Sequence, residues 1–315
     1  MEKIPIIAVV GPTASGKTAL AVALAQHYDA EVLSFDSMQL YRGMDIATAK
    51  PTTEEMQGIP HHMIDCVDPE EIYSVAKYKD AANQIIDDII SRGKRVVMVG
   101  GTGLYLDTLI ENISFQESEV DMTVRDELAA ELATTSPEHM WQKLQEVDPA
   151  SAASLHPNNT GRVLRALEIY YSTGKTMSYQ VENSHSAPSR FAPVYIGLNA
   201  RDRGYLYDRI DRRVDEMLER GLLDEVSAYV ASDVGATAKQ AIGLKELAPY
   251  VMGEESLDAC VARLKQGTRN YAKRQLTWFR RNEAIHWFYI DEMDFDTILS
   301  SAISIIDKEG GSYER

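Results

Sequence analysis

Gly11-Pro12-Thr13-Ala14-Ser15-Gly16-Lys17-Thr18 is the stretch that decides how the rest of the chain is read. It has the spacing G-x-x-x-x-G-K-[ST], follows the β-branched run Ile4 to Val10, and opens a helical pattern from Lys17 to Tyr28. In that setting the loop amides and the helix N-terminus cradle a di- or triphosphate. Lys17 neutralises the outer oxygens, and the Thr18 hydroxyl is placed for Mg²⁺. The motif leaves the occupant open, because a nucleotide and an organic diphosphate present the same oxygens.

Working outward, four more runs rich in β-branched residues read as strands: Glu31 to Phe35, Arg95 to Val99, Val194 to Leu198 and His286 to Ile290. Helical patterns lie between them. The order predicts an α/β fold with a P-loop-type, doubly wound parallel sheet and ligands at the carboxyl ends of its strands. From about Phe115 to Arg190 no strand pattern occurs. Ser136-Pro137 and Asp148-Pro149 there each set a capping residue before a proline at the first helical position. An all-helical insertion is expected at 116–190, within a core of 1–115 and 191–315, with Ser184 to Ser189 as a hinge. The remainder reads as helical over Arg201 to Ala231, Ala241 to Val251 and Leu257 to Arg281, followed by the last strand and a closing helix.

A chain of 315 residues that is 44% hydrophobic and 25% charged has the composition of a soluble globular protein. No run reaches the roughly 18 apolar residues of a membrane span, and no signal segment precedes the first strand, so a cytoplasmic protein is expected. Two cysteines without CxxC spacing leave neither a disulfide framework nor a zinc finger. His61 and His62 have no ligand-spaced carboxylate and read as structural.

With 32 basic against 48 acidic residues the net charge is −16, which excludes a uniformly basic nucleic-acid coat. Yet residues 259–282 hold seven Lys and Arg and no Asp or Glu, a local +7 that leaves −23 for the rest. At about 100° per residue, Cys260, Leu264, Tyr271 and Trp278 form an apolar line with Arg263, Arg274 and Arg281 at its border. Lys265, Arg269, Lys273 and Arg280 cover the opposite side. This is the pattern of a docked amphipathic helix with a basic face for a phosphate backbone.

Two further segments follow strands. Asp36 in Asp36-Ser37-Met38-Gln39 emerges beside the phosphate loop, where a carboxylate can bind Mg²⁺ or take a proton from a nucleophile. Gly100-Gly101-Thr102-Gly103 permits close approach and offers the Thr102 hydroxyl at a helix start. Arg209 and Arg213, four apart on one helical face, read either as a solvated face or as a clamp on a diphosphate.

Together, in this order and spacing, the three loops resemble the bacterial-type tRNA dimethylallyltransferases. The resemblance continues through Pro60-His61-His62, Tyr73-Ser74-Val75, the stretch from His156 to Lys175, Ala241-Ile242-Gly243 and Lys273-Arg274-Gln275-Leu276-Thr277-Trp278. It implies transfer of dimethylallyl from its diphosphate to the N6 amine of the adenine next to the anticodon, position 37, of tRNA, with Mg²⁺ and without ATP hydrolysis. The P-loop residues would grip the diphosphate together with Arg209 and Arg213, the latter matching a family arginine. Asp36 would be the general base, Thr102 would hydrogen-bond nearby, and Gln39 would read the adenine edge. The implied tRNA contacts are Ser37, Met38, Arg125, Gly161, Arg162, Arg165, Gln240, Ala241, Ile242, Gly243 and Lys245, besides the basic helix. A monomer acting on the anticodon stem-loop is expected. A small-molecule kinase, a transferase acting on free adenine nucleotides and a nucleotide-switched RNA-binding protein are the rivals.

Overall fold

The computed structural model describes residues 3–114, 122–184, 188–232, 234–235 and 237–309. The chain divides into two compact units, Met1–Ile110 with Ser189–Arg315, and Glu111–Pro188. The expected boundary at 115/116 and the centre of the expected hinge, residues 185–187, lie outside the described residues.

The first unit is built on strands β1 (Ile4–Val10), β2 (Ala30–Ser34), β3 (His61–His62), β4 (Arg95–Val99), β5 (Phe191–Asn199) and β6 (Ile285–Tyr289). Its helices are α1 (Lys17–Tyr28), α2 (Thr53–Met56), α3 (Val75–Ser91) and α4 (Gly103–Ile110), then α10 (Arg203–Glu219), α11 (Leu222–Val230), α12 (Leu244–Val251), α13 (Leu257–Phe279) and α14 (Phe295–Glu309). The second unit holds α5 (Met122–Thr134), α6 (Pro137–Val147), α7 (Pro149–Ser154), α8 (Thr160–Thr173) and α9 (Met177–Glu182).

All pairings are parallel, in the order β3-β2-β4-β1-β5-β6. Alternation along β1 splits the core between two faces. Ile6, Ala8 and Val10 pack with α3, α4 and α10–α13, whereas Ile7 and Val9 pack with α1 and α14. A strand buried on both faces reads as a continuous apolar run, which is why β1 is legible without any period-2 pattern.

The sheet has six strands where the sequence suggests five. β3 is two residues long, too short for a hydrophobic period to register. At this edge His62 Nε2 lies 2.7 Å from Glu31, and His61 Nδ1 lies 2.8 Å from the Ile59 carbonyl. The single helix expected over Arg201 to Ala231 is two helices: Gly221 takes φ +97°, a left-handed conformation that ends α10 and starts α11. The helix expected from Ala241 begins at Leu244.

In the second unit both proline-preceded caps form. The Ser136 side chain accepts from the His139 N–H and Asp148 accepts from the Ser151 N–H. Its own core gathers Leu128, Met140, Leu144, Ala152, Val163, Ala166 and Leu167. Among the described residues no helix is long and apolar enough to cross a membrane.

Candidate active site

β2, β4 and β1 are neighbours in the sheet, so the loops at their carboxyl ends meet although the sequence spreads them over ninety residues. After β1, the Lys17 ammonium donates to the Pro12 carbonyl at 2.6 Å and so curls back over the loop. After β2, Asp36 Oδ1 accepts from the N–H of Met38 at 2.9 Å and of Gln39 at 3.4 Å, fixing its carboxylate by its own turn. After β4, Thr102 Oγ1 accepts from the Ser37 N–H at 3.1 Å, and its hydroxyl lies 3.3 Å from that of Ser37. Thr102 thus ties the third loop to the second.

Two helices close this ring. From α10, Arg209 Nε donates to the Ala14 carbonyl at 2.8 Å, and Arg213 Nη1 donates to the Thr13 hydroxyl at 3.1 Å. This helical face is thus turned to the phosphate loop. From α13, Gln275 Oε1 accepts from the Thr13 N–H at 2.9 Å while its Nε2 donates to the Gly101 carbonyl at 3.1 Å. Gln275 is 4% exposed and joins the first loop to the third. Sequence reading placed it in a motif without a role; its phase with Leu264 and Tyr271 on the buried side of α13 is the signal that could have found it.

Two cavities adjoin at this ring. The first, about 390 Å³, has Thr13, Lys17, Thr18, Asp36 and Arg213 as polar lining and Ile210, Val214, Met217, Leu264 and Tyr271 as apolar or aromatic walls. Ser37, Met38, Gln39, Gln240, Ala241, Ile242, Lys245 and Arg274 also line it. The second, about 360 Å³, is lined by Ala14 to Thr18, Lys50, Arg209, Arg212, Arg213 and Arg220, with Glu55 and Glu216 as its carboxylates. Lys17, Thr18 and Arg213 belong to both. Gly243 borders the first cavity's wall, its φ of +106° and a Cβ position 3.3 Å from the Ala47 methyl both favouring glycine.

The shared residues carry shifted charges. Desolvation, then the Arg213 charge, brings the Lys17 ammonium down to about 7, against a raising influence of Asp36. Desolvation pushes Asp36 up, opposed by its two N–H donors and by Lys17 and Arg213. Arg213 is lowered by burial. Cations held in poor solvent are relieved when an anion joins them, whereas a carboxylate with a raised pKa is a better proton acceptor.

No group of three His, Cys, Asp or Glu that could hold a metal ion occurs among the described residues. Thr18 and Asp36 line one cavity, and one hydroxyl plus one carboxylate suits an ion that takes its other oxygens from phosphate and water.

Two sets of the expected contact residues are engaged within the chain. The Gln39 amide is turned onto the loop: Oε1 accepts from the Ser34 hydroxyl at 3.1 Å and Nε2 donates to the carbonyls of Thr48 and Ala49 at 3.3 and 3.2 Å. These bonds tie Gln39 to its loop, and it also lines the first cavity. Lys265 and Arg269 do not belong to an open basic face. Lys265 pairs with Asp215 and Arg269 with Asp211, each at 2.6 Å across to α10. Arg263 likewise pairs with Glu255. Lys273, Arg274 and Arg280 are exposed and make no ion pair among the described residues, with Arg274 5.7 Å from the Tyr271 ring centre. In the second unit Arg125, Gly161 and Arg162 are exposed, and Arg165 pairs with the buried Glu168 at 3.0 Å.

Residues 39–282 match the family model described as IPP transferase. The chain belongs to the IPP transferase family. A relative from Thermoanaerobacter sp. (strain X514), named tRNA dimethylallyltransferase, is 46% identical over 292 residues, covering 92% of this chain and 93% of that protein. The solved full-length tRNA isopentenylpyrophosphate transferase of Bacillus halodurans is similar with a TM-score of 0.74 at 42% identity, covering 99% of this chain and 98% of that one. A eukaryotic dimethylallyltransferase described as acting on tRNA gives a TM-score of 0.80 at 33% identity, covering 99% of this chain and 80% of its own.

Proposed function

We infer that this chain transfers a dimethylallyl group from dimethylallyl diphosphate to the N6 amine of an adenine in tRNA, the one next to the anticodon, and releases diphosphate. The observation that carries the reading is the meeting of two cavities at Lys17, Thr18 and Arg213, one lined by the P-loop and arginines, the other by Asp36 and an apolar wall. Diphosphate belongs in the first setting. The prenyl chain and the acceptor base belong in the second, and the bond to be broken lies where both meet.

As the allylic C–O bond breaks, charge grows on the diphosphate, and the amides at the start of α1, Lys17, and Arg209 and Arg213, which are held against the loop by Ala14 and Thr13, would stabilise it. The N6 lone pair is delocalised into the adenine ring, so its proton must leave as the new C–N bond forms. Asp36, held by the N–H groups of Met38 and Gln39, accepts it. Thr102 fixes the Asp36 loop through Ser37. We assign Thr18 and Asp36 as the protein oxygens for Mg²⁺, which when bound neutralises charge on the leaving group.

An adenine in a loop costs less to flip from its stack than one in a duplex. For the RNA we propose Lys273, Arg274 and Arg280 on α13, with Gln240, Ala241, Ile242, Gly243 and Lys245 at the cavity rim. On the second unit, Glu111–Pro188, we propose Arg125, Gly161, Arg162 and Arg165 as the contacts to the anticodon arm. A tRNA acceptor supports action in the cytoplasm, and we propose a monomer.

The test is incubation with Mg²⁺, ATP, labelled dimethylallyl diphosphate and, in separate arms, tRNA, an anticodon stem-loop, AMP or no further acceptor. Label is expected in both RNAs only. Consumption of ATP with no label in RNA would refute the reading in favour of a kinase.

A further inference from the structure

The segment 45–50 is held from three sides, and one of its holders has no place in the chemistry above. Glu225, in the first turn of α11, accepts three consecutive backbone N–H groups. They belong to Asp45 at 2.8 Å, Ile46 at 2.7 Å and Ala47 at 2.9 Å, the first two on Oε2 and the third on Oε1. At the other end Lys50 is buried and its ammonium donates to the Tyr41 carbonyl and to Asp45, each at 2.6 Å, and to Asp65. The turn between them closes on itself through Ala49 N–H to the Ile46 carbonyl and Lys50 N–H to the Asp45 carbonyl, both 2.9 Å.

The third side faces the cavity. Ala47, Thr48 and Ala49 line it. The Ala49 carbonyl receives Gln39 Nε2 at 3.2 Å and Arg213 Nη2 at 3.4 Å. Ala49 itself has φ +50°, a left-handed value that an alanine adopts only where its surroundings impose it. The same guanidinium reaches the Thr13 hydroxyl with Nη1. Arg213 is therefore suspended between the P-loop and the 45–49 turn, and the position of its second anchor depends on what fixes that turn.

We propose that Glu225 is a positioning residue for the transfer reaction. Its carboxylate locks the 45–47 amides, which sets the Ala49 carbonyl and with it the angle at which Arg213 meets the diphosphate. The chemistry suits the task. A carboxylate accepting several N–H groups makes charge-assisted bonds, stronger than neutral ones, and three in series leave the turn no freedom to rotate. Successive N–H groups of a turn form a concave anion seat, here filled by the protein's own side chain. Its place at the start of α11 adds the favourable end of that helix's dipole. The inference rests on the diphosphate role assigned to Arg213.

The experiment compares the full chain with Glu225→Gln, which keeps size but turns a donor toward the amides, and with Glu225→Ala. Binding of inorganic pyrophosphate with Mg²⁺ is measured by calorimetry, steady-state transfer is measured with tRNA, and each variant is repeated in an Arg213→Ala background. The expected result is pyrophosphate binding weakened about tenfold and a raised KM for the prenyl diphosphate, with KM for tRNA unchanged. In the Arg213→Ala background the Glu225 substitutions are expected to change pyrophosphate binding by less than about twofold. A parent protein that binds no pyrophosphate, or loses nothing when Arg213 is removed, overturns the diphosphate reading itself. A parent that binds normally, with Glu225→Gln equal to it or with Glu225 and Arg213 effects simply additive, overturns this inference alone. Should Glu225→Ala be too unstable to purify, the isosteric Glu225→Gln decides by the same criteria.

Discussion

Replacing Gly101 by alanine tests the joint between the loops and α13 most directly. A Cβ at Gly101 falls 1.8 Å from Gln275 Nε2 and 3.1 Å from Gln275 Cδ, an overlap no small shift removes. Gln275 is 4% exposed and borders the first cavity, so its amide escapes the overlap only by turning away from both of its partners. It must give up the 2.9 Å bond from the Thr13 N–H and the 3.1 Å bond to the Gly101 carbonyl. An abandoned buried partner costs about 1–3 kcal/mol, and overpacking about 1–3 kcal/mol more. A combined loss near 3 kcal/mol corresponds to a fall in Tm of about 6–12 °C for a unit of this size. Because the Thr13 hydroxyl is also the anchor of Arg213, a displacement of about 1 Å there is expected to cost about a hundredfold in kcat/KM. Calorimetric melting and prenyl transfer to tRNA measure the two effects. Gly161→Ala, where a Cβ meets open space, is the control for the melting measurement alone. In a Gln275→Ala background the added cost of Gly101→Ala should largely vanish, since the clashing group is gone. A Gly101→Ala protein melting within about 2 °C of the parent with undiminished turnover, or one not relieved by Gln275→Ala, refutes the reasoning.

Three other outcomes are expected. Asp36→Asn keeps the shape of the turn but cannot take the proton, so turnover should fall by about 10²–10⁴ while tRNA binds nearly as before; unchanged turnover removes Asp36 as the base. Lys17 has a folded pKa of about 7 against 10.5 for its ordinary value, so between these pH values the folded chain binds fewer protons than the unfolded one. Stability of the protein without diphosphate should therefore rise with pH across that window, and the rise should be smaller in Lys17→Met; parallel Tm-against-pH curves for the two proteins count against it. Lys273→Ala with Arg280→Ala should flatten the salt dependence of tRNA binding by about 1.4–1.8 units of log–log slope, whereas Arg269→Ala, already paired with Asp211, should leave the slope alone. Equal effects from the paired and the unpaired cations would refute that assignment.

What could be read from sequence divides from what could not by range of interaction. The P-loop is legible because eight consecutive residues carry its whole function, and the strand before it and helix after it have their own local signals. The helix caps at Ser136 and Asp148 are equally local, the bond spanning three residues. The pair Arg209 and Arg213 is visible as one helical face, but only the Ala14 carbonyl and the Thr13 hydroxyl against it show which way that face turns. β3 escaped because two residues have no period, and the break at Gly221 because a glycine within a helical pattern is compatible with either continuation or ending.

By itself the sequence determined the sheet type, the phosphate loop, the candidate base Asp36 and the concentration of positive charge at 259–282, since each depends on neighbours along the chain. Tertiary structure alone decided which of those charges face outward. Asp211 and Asp215 lie about fifty residues away yet take Arg269 and Lys265 out of the basic face, leaving Lys273, Arg274 and Arg280. It alone seated Gln275 between two loops and put Glu225 under the turn at 45–47. The physical reason is that a charge or an amide acts over a few ångströms. Which partner comes that close across 174 or 180 residues is fixed by strand order and helix packing, and no local pattern encodes it.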